Sequence, residues 1–342
     1  MSSNPFTIRE AIARLIERHD LTQAEAAACM DEMAVGDASH AQVAAFLVAL
    51  RLKGESVEEM VGLLSVMRER STRVAVTGLA LDTCGTGGDG SGSFNVSTCA
   101  AFVAAGAGAT VAKHGNRAVT SKCGSADVLE ALGAKIELSA PQVEACIAHA
   151  GIGFMFAPAF HPAMKHVGPV RREIGVRTVF NLVAPLANPA RATRQVVGVP
   201  RLDLVETIAT VLARSGSEHA LVVHGDDGYD EISITGPTTI AELKGGSVRM
   251  YRIAPEDVDL PPHDIAYLRG GTPEQNAAEL RLVLDGAPGP LRDFTLINAA
   301  AALVAWGSAD TLRAGVVEAA KSIDTGAAAA KLAAFVEATN AV

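Results

Sequence analysis

Two glycine-rich polar turns lie close together in the sequence and have the composition of an anion site. They are Cys84–Gly90 (CGTGGDG) and Lys113–Ser125 (KHGNRAVTSKCGS). Glycine accepts positive φ and has no side chain, so neighbouring backbone N–H groups can converge on one cavity. Converging N–H groups with a helix starting just after them bind anions. The two turns therefore predict a site for phosphate or diphosphate.

Polar side chains around the turns would strengthen such a site. Further hydrogen-bond donors come from four hydroxyl residues, which are Ser91, Ser93, Ser97 and Thr98. Asn95 and Ser97 stand where the next helix would begin, and Asn and Ser are favoured at helix starts. Lys113 supplies a positive charge of the kind that phosphate sites use.

Two familiar phosphate motifs do not fit this stretch. Gly85-x-Gly87-x-x-Gly90 formally matches the dinucleotide fingerprint, but that motif is followed about 20 residues later by an acidic residue. Residues 104–112 contain no acid, and no Gly-Lys-Ser/Thr follows, which also excludes a P-loop. The remaining alternative, a flexible surface loop, is disfavoured because the two turns flank one apolar run, 98–109.

The adjacent acids Asp230 and Glu231 are the best candidate for a metal site. On a strand, neighbouring side chains point to opposite faces, whereas on a turn after Gly228 both could reach one cleft. Magnesium prefers oxygen ligands and is commonly held by one or two carboxylates plus substrate phosphates. Asp226 and Asp227 lie just upstream, so the spacing alone leaves a solvated acidic loop as an alternative.

Long, specific motifs follow one another along the chain. The first are Gly85–Gly90, Asn95–Thr98, Lys113–Arg117 and Gly124–Glu130. They continue in order through His161–Lys165, Arg177–Leu182, Pro185–Pro189 and Asp230–Ile232. Through these motifs the chain resembles the anthranilate phosphoribosyltransferase family over roughly residues 5–335.

The resemblance implies a reaction and its cofactor. Phosphoribosyl diphosphate (PRPP) and anthranilate would give N-(5-phosphoribosyl)anthranilate and diphosphate, the second step of tryptophan biosynthesis from chorismate. It implies Mg²⁺, two ions per subunit, held by Ser97, Asp230 and Glu231.

The resemblance also assigns substrate residues. Those implied for PRPP are Gly85, Gly88, Asp89, Ser93, Asn95, Val96, Ser97, Thr98, Lys113, His114, Gly115, Asn116, Arg117, Ala118, Val119, Thr120, Ser121 and Ser125. Those implied for anthranilate are Gly85, Asn116 and Arg171, with His114 and His161 lining the aromatic pocket. The loop from Lys113 to Ser121 would close over PRPP.

Some of these assignments have alternatives. A guanidinium matches a carboxylate with two hydrogen bonds, which suits Arg171, but only the motif register separates it from the adjacent Arg172. Each histidine could equally be a structural hydrogen-bonding residue. No general base is assigned, because a weakly basic aromatic amine can lose its proton late.

Two other functions compete with this interpretation. A pyrimidine nucleoside phosphorylase would share the architecture but would need a phosphate and nucleoside site. A non-catalytic relative that binds nucleic acid would need a basic surface, whereas 29 basic and 38 acidic residues give a net charge of −9. Phosphate contacts dominate nucleic-acid affinity, so this charge argues against such a partner.

The termini and cysteines predict a cytoplasmic location. The start MSSNPFTIREAIARL lacks the basic and apolar segments of a signal peptide. No apolar run has the length and purity of a membrane span, so no membrane contact is expected. The 5 cysteines include no C-x-x-C pair, which is typical of scattered reduced thiols.

Residues 1–73 are predicted to form a small all-helical subdomain. Four Ser or Thr residues each precede a Glu or Gln by three positions, which is the signature of a helix start: Thr7/Glu10, Thr22/Glu25, Ser39/Gln42 and Ser56/Glu59. Such short helices must pack on something else. We expect a homodimer through this subdomain; packing on its own chain alone is the alternative.

The rest of the chain is predicted to be an α/β domain with a largely parallel sheet flanked by helices, formed by 74–164 and 193–342. Strands are expected at 79–82, 110–112, 135–138, 152–156, 220–224, 232–234 and 247–253. Helices are expected at 98–107, 125–132, 141–150, 202–215, 273–285, 294–306, 309–323 and 326–339. Both glycine turns follow expected strands, where parallel sheets bind ligands. A proline-interrupted basic segment, about 165–192, would return to the helical subdomain as one wall of a cleft.

Overall fold

Four helices follow one another at the start of the chain. The structure, a computed structural model, describes residues 6–118 and 122–342. The helices are α1 (Ile8–Ile16), α2 (Gln23–Val35), α3 (His40–Lys53) and α4 (Val57–Glu69). Each begins at the predicted Thr or Ser, whose side chain accepts from the third helical N–H while the Glu or Gln returns to the cap N–H. The predicted helix starts are therefore confirmed.

A seven-stranded sheet forms the centre of the rest of the chain. Its strands are β1 (Leu81–Gly85), β2 (Val111–Gly115), β3 (Ile152–Phe156), β4 (Arg194–Gly198), β5 (His219–Gly225), β6 (Thr238–Lys244) and β7 (Ser247–Ile253). Their order is β3-β2-β1-β4-β5-β6-β7. The five strands β1 to β5 are mutually parallel, β6 is antiparallel to β5, and β7 is antiparallel to β6. The predicted fold class is confirmed.

Helices cover both faces of this sheet. They are α5 (Val96–Gly106), α6 (Ser125–Ala131), α7 (Ala140–Ala150), α8 (Ala157–Phe160), α9 (Met164–Ile174), α10 (Val179–Val183), α11 (Asp203–Arg214), α12 (Pro273–Leu284), α13 (Pro290–Trp306), α14 (Leu312–Asp324) and α15 (Ala327–Ala341). Two short 3-10 helices span Pro255–Val258 and Ile265–Leu268. No helix among these described residues is both long and apolar enough to cross a membrane.

Two apolar cores lie on opposite faces of the sheet because side chains alternate along each strand. In β5, Leu221 and Val223 pack with α5 and α13, whose interiors are mostly alanine. Ala220 and Val222 pack instead with α11 and the four starting helices. The helical subdomain is thus continuous with the core on one face.

Two predicted strands are wrong. Residues 135–138 form no ladder, and the Leu138 N–H donates to the Ile136 carbonyl 3.0 Å away within the same segment. Residues 232–234 are irregular as well, because both backbone groups of Ile232 bond to the Asn298 side chain. The apolar residues of both segments are buried, but they are buried without pairing as strands. Conversely, β4 and β6 were not predicted.

The basic segment after β3 contains helices that the sequence analysis did not predict. α9 packs against α2 and α3, and α10 packs against α3 and α4. His166 of α9 lies so close to Gly36 that a Cβ there would approach the imidazole to 2.8 Å. The chain therefore returns to the four starting helices, while the predicted domain limits stay a prediction.

Candidate active site

The glycine turns and the acidic pair meet where the strand order reverses. β1 has β2 on one side and β4 on the other, which makes the carboxyl ends of β1 and β4 a topological switch point. Open parallel sheets bind ligands in the crevice at such a point. The end residues Gly85 and Gly198 leave no room for a Cβ against Asp230, which contacts both. Glycine at these two ends lets the acidic segment approach the sheet.

The first turn presents free backbone donors. Gly87, Gly88 and Gly90 have φ of +65°, +80° and +71°, in the left-handed region that favours glycine. The Gly87 N–H donates to Asp230 Oδ2 over 2.6 Å. The N–H groups of Gly88, Asp89 and Gly90 have no acceptor within the described residues. These donors are available to an anion.

The amino end of α5 is open in the same way. Asn95 stands at the N-cap, but its side chain makes no capping hydrogen bond. The Ser97 N–H has no acceptor among the residues that the structure describes. By contrast, the predicted ligand Thr98 is 1% exposed, and its hydroxyl is inaccessible to solvent. A phosphate at this end would meet the partial positive charge of the helix terminus.

Lys113 is a fixed cation beside this helix end. Its buried Nζ donates to the Thr83 carbonyl and lies 3.5 Å from Ser97 Oγ. Burial lowers the pKa of Lys113, and the charges of Asp82 and Glu231 oppose that shift. The ammonium therefore joins the end of β2 to β1 and α5.

The second turn is anchored by α6. The Asp127 carboxylate accepts from Ala118 N at 2.9 Å and from Gly124 N at 2.8 Å, which fixes both ends of the loop. Gly115 leaves no room for a Cβ beside the Ser125 hydroxyl, which donates to the Asn116 carbonyl over 3.3 Å. The predicted PRPP ligands Val119, Thr120 and Ser121 lie outside the described residues.

Two predicted ligands on this turn differ in availability. Asn116 is exposed, and its Oδ1 accepts from Arg117 N at 2.8 Å. The guanidinium of Arg117 instead pairs with Asp127 and Glu130 on α6 and lies over the Phe156 ring. PRPP would have to compete with these carboxylates for the Arg117 side chain.

Asp230 and Glu231 lie on an irregular segment after β5, where Asp230 is buried, Glu231 is half-buried and their charges interact. Burial, with the charge of Asp89, raises the pKa of Asp230 to about 7. Burial, with the charge of Asp230, raises the pKa of Glu231 well above its usual range. The Glu231 carboxylate accepts no hydrogen bond from the described part of the chain. A cation between the two would relieve this repulsion.

The donor set suits magnesium. Residues 6–118 and 122–342 contain no group of three or more His, Cys, Asp or Glu placed to hold a metal by themselves. Magnesium needs fewer protein ligands, because it keeps waters and takes oxygens from substrate phosphates. The upstream acids do not belong to this site: Asp226 pairs with Arg252, and Asp227 accepts from Thr235 Oγ1 at 2.7 Å.

Arg171 lies on α9, close enough to Arg177 for their charges to interact. It is half-buried, with its guanidinium 5.6 Å from the centre of the Phe180 ring. Burial and the charge of Arg177 lower the pKa of Arg171, and it forms no ion pair with the described residues. Arg172 is exposed. The two adjacent arginines therefore differ in burial, and Arg171 is the more shielded from solvent.

His114 and His161 form a buried pair. Their Nε2 atoms are 3.2 Å apart, and each residue is less than a tenth exposed, at 6% and 7%. Burial lowers the pKa of His161 to about 4 and that of His114 well below its usual range. At neutral pH both rings are uncharged, so one donates a hydrogen bond to the other.

The sequence analysis missed Arg177. Its Nη2 donates to the Thr86 carbonyl over 3.1 Å, and its guanidinium lies on the face of Gly88 where a Cβ would be. The charges of Asp230 and Asp89 act on it. Its place in the basic segment was the available signal, but the contact joins residues about 90 apart in the chain.

Comparison with known proteins agrees with this geometry. The model of a glycosyl transferase family, a/b domain, matches residues 77–329, and that of the helical bundle domain matches residues 9–71. An anthranilate phosphoribosyltransferase of Chloroflexus aggregans is 57% identical over 329 residues, covering 96% of this chain and 97% of the relative.

Two solved structures share the fold over nearly their whole length. Anthranilate phosphoribosyltransferase (TrpD) from Thermus thermophilus has a TM-score of 0.91 and 42% identity, covering 96% of this chain and 99% of that one. The enzyme from Saccharomyces cerevisiae in complex with PRPP and Mg has a TM-score of 0.89 and 27% identity, with 98% of each chain covered. Together with the open donors and the acidic pair at the switch point, these matches lead to one conclusion: the chain belongs to the anthranilate phosphoribosyltransferase family.

Proposed function

We propose that this protein transfers the 5-phosphoribosyl group of PRPP to the amine of anthranilate and releases diphosphate. The observation that carries the proposal is the convergence of open N–H donors and the Asp230–Glu231 pair at the switch point. Near them, beside Arg177, is Arg171, which forms no ion pair with the described residues. The bond from the anomeric carbon to diphosphate breaks, and its electron pair leaves with the diphosphate. The anthranilate nitrogen forms the new bond and loses a proton.

The chain's own donors hold the leaving group. N–H groups of Gly88, Asp89 and Gly90 and the open end of α5 would bind diphosphate oxygens, and Lys113 adds a fixed charge. Such fixed donors stabilise charge that develops as a bond breaks, without reorganising at that moment. We therefore expect them to lower the barrier as well as to bind PRPP.

Ser97, Asp230 and Glu231 would hold magnesium, with two ions per subunit. Magnesium, when bound there, neutralises charge on the departing diphosphate. Asp230 is kept in place by the Gly87 N–H, while the Glu231 carboxylate is free of protein donors in the described residues. The chain thus fixes one carboxylate and leaves the other to a cation.

Arg171 would present the acceptor. Its guanidinium, packed on Phe180, can take the anthranilate carboxylate with two hydrogen bonds and orient the amine. Asn116 and the Gly85 backbone would complete the pocket, with the uncharged His114–His161 pair beside it. Because both rings stay neutral, we assign neither as a general base.

We also propose the assembly and setting of the protein. A homodimer through the four starting helices is supported by exposed apolar side chains there, including Ile16 (69%) and Leu52 (72%). The subdomain would comprise residues 1–73 and about 165–192, with the rest of the chain as the catalytic domain. Four buried cysteines, Cys29, Cys84, Cys99 and Cys146, form no disulfide with the described residues, which supports a reducing compartment such as the cytoplasm.

The test is a fluorescence assay. Anthranilate fluorescence should fall when PRPP and Mg²⁺ are added to the protein, and chelation of the metal should stop the change. The same preparation is assayed with thymidine and inorganic phosphate, the substrates of the competing phosphorylase function. Turnover of thymidine without loss of anthranilate would reject the proposal.

A further inference from the structure

Residues 268–270, which have no assigned role, pair with the short stretch of chain between the first glycine turn and α5. The Phe94 N–H donates to the Leu268 carbonyl at 2.9 Å, and the Gly270 N–H donates to the Gly92 carbonyl at 2.8 Å. Ser93 and Arg269 pair between them as an antiparallel bridge. The chain leading into α5 is therefore held by residues about 175 positions later, immediately before α12.

Asn276, in the first turn of α12, completes this contact. It is 2% exposed, and its Oδ1 accepts from Gly271 N at 2.7 Å. Its Nδ2 donates to Asn95 Oδ1, also at 2.7 Å. Gly270 allows the close approach, since a Cβ there would lie 2.5 Å from the Ser93 carbonyl oxygen. Because the Gly271 N–H occupies the Asn276 oxygen, the amide donor faces Asn95.

This bond explains why Asn95 does not cap its own helix. An N-cap asparagine normally accepts from the second or third helical N–H. Here its oxygen is held by Asn276 and its Nδ2 donates to the Cys123 carbonyl at 3.2 Å. Its ψ of 59° also departs from the extended backbone of the capped helix starts in this chain. The Ser97 N–H is thereby left without an acceptor in the described residues.

The Asn95 side chain also links the two glycine turns. It follows the first turn directly, and Cys123 closes the second. The buried Asn276 thus fixes a side chain that connects the two turns.

We propose that Asn276 is a positioning residue that keeps the amino end of α5 open for the diphosphate of the donor, by holding the Asn95 side chain away from it. The inference rests on the donor site of the proposed function. Without Asn276, the Asn95 oxygen would be free to accept from the Ser97 N–H and compete with the phosphate.

The first measurement is the KM for each substrate in Asn276→Ala. The KM for PRPP should rise about five- to tenfold, the factor that an N-cap hydrogen bond is worth. The KM for anthranilate and kcat at saturating PRPP should change less than about twofold. Asn276→Asp should behave alike, because it keeps the acceptor for Gly271 N but has no donor for Asn95. It also provides a second variant if the alanine variant folds poorly.

A double-mutant cycle tests whether Asn276 acts through Asn95. Asn95→Gly removes the competing cap, so adding Asn276→Ala in that background should cause no further rise in the KM for PRPP. Coupled effects are the signature of residues that act on one contact. Independent effects that multiply would overturn the proposal, as would an unchanged KM for PRPP in both Asn276 variants.

Ser322→Ala is the matched control. The Ser322 hydroxyl is buried and donates to the Val103 carbonyl at 2.8 Å, near the other end of α5. This variant should lower Tm without changing the KM for PRPP; an equal rise in KM would make the Asn276 effect a general loss of rigidity.

The affinity of the same variants for Mg²⁺-diphosphate, measured by calorimetry, gives a second double-mutant cycle that needs no turnover. If the unmodified protein showed no turnover, the proposed function would be rejected. The calorimetric cycle would still decide this inference.

Discussion

Two ionisable side chains of the candidate site have no hydrogen-bonding or ion-pair partner among the described residues. Arg171 forms no ion pair with the described residues, and the Glu231 carboxylate accepts no hydrogen bond from them. Leaving a half-buried charge in this state costs stability, which a substrate carboxylate or a metal ion would restore. These two positions are therefore where substitution should affect function more than folding.

Arg171→Ala should raise the KM for anthranilate about 10- to 100-fold, because hydrogen bonds to charged groups contribute ~1.5–3 kcal/mol. The KM for PRPP should stay within about twofold. Steady-state kinetics with each substrate varied would measure both. The neighbouring Arg172→Ala is the control, since Arg172 is exposed. A larger effect at Arg172, or equal effects on both KM values, would contradict the assignment.

Glu231→Gln combined with Asp230→Asn should abolish magnesium-dependent turnover, because the two amides cannot neutralise a divalent cation. Activity would be titrated against Mg²⁺ at saturating substrates. Asp226→Asn is the control, since that acid pairs with Arg252 at the surface. An unchanged magnesium dependence in the double variant would remove the pair from the metal site.

At the scale of elements, the ends of strands and helices make the site. β1 ends in a turn with three left-handed glycines, and that turn is held between the Asp230 carboxylate and the Arg177 guanidinium. Arg177 comes from the segment that also carries Arg171 and α9. The first glycine turn, which would bind PRPP, is thus contacted by the same segment that would bind anthranilate.

Gly88→Ala and Gly90→Ala separate backbone strain from this contact. Both residues have positive φ, so each substitution should cost about 1 kcal/mol of strain. A Cβ at Gly88 would also run into Arg177, whereas nothing lies within 4 Å of one at Gly90. The KM for PRPP should therefore rise clearly more in Gly88→Ala. Equal kinetics in the two variants would show that the Arg177 contact is unimportant for PRPP binding.

At the scale of the whole molecule, the two cores and the returning segment hold the cleft between the starting helices and the sheet. His114 of β2 meets His161, which lies just before α9, in the buried pair at this junction. Both must remain uncharged to stay buried, so the junction couples stability to pH.

His161→Gln should reduce the loss of stability in acid. The pKa of His161 is about 4 in the folded protein and 6.5 as the reference value for an exposed imidazole, so below pH 6.5 only the unfolded chain takes up this proton. Stability falls as the pH drops through this window, by about 1.4 kcal/mol per pH unit. Between pH 7 and 5 the variant should lose ~2 kcal/mol less, measured by urea unfolding. The exposed His149→Gln should keep the full loss.

Leu52→Glu should convert the proposed dimer to monomers, because a charge would replace an apolar side chain that is 72% exposed in the single chain. Analytical ultracentrifugation over a range of concentrations would show the change in mass. Leu282→Glu, at an exposed leucine of α12, should leave the mass unchanged. A monomeric unmodified protein would reject the dimer itself.

Local interactions explain what could be predicted from the sequence. The helix starts at Thr7, Thr22, Ser39 and Ser56 were predictable because a cap and its Glu or Gln partner are three residues apart. The strand Ile152–Phe156 was predicted with its bounds, since its apolar run pairs as expected. The segment around Ile232 has the same apolar character, but a distant side chain, Asn298, takes its backbone hydrogen bonds.

The sequence by itself determined the fold class and the family. It also determined which charged residues and which glycines are candidates for the site. These follow from residue types and short spacings, which express local physics. Only the tertiary structure decided that Arg117 pairs with α6, that Thr98 points inward, that Arg177 contacts the first glycine turn and that Asn276 bonds Asn95 at the start of α5. Each of these depends on which surfaces pack together, and these contacts join residues up to about 180 positions apart that no local pattern relates.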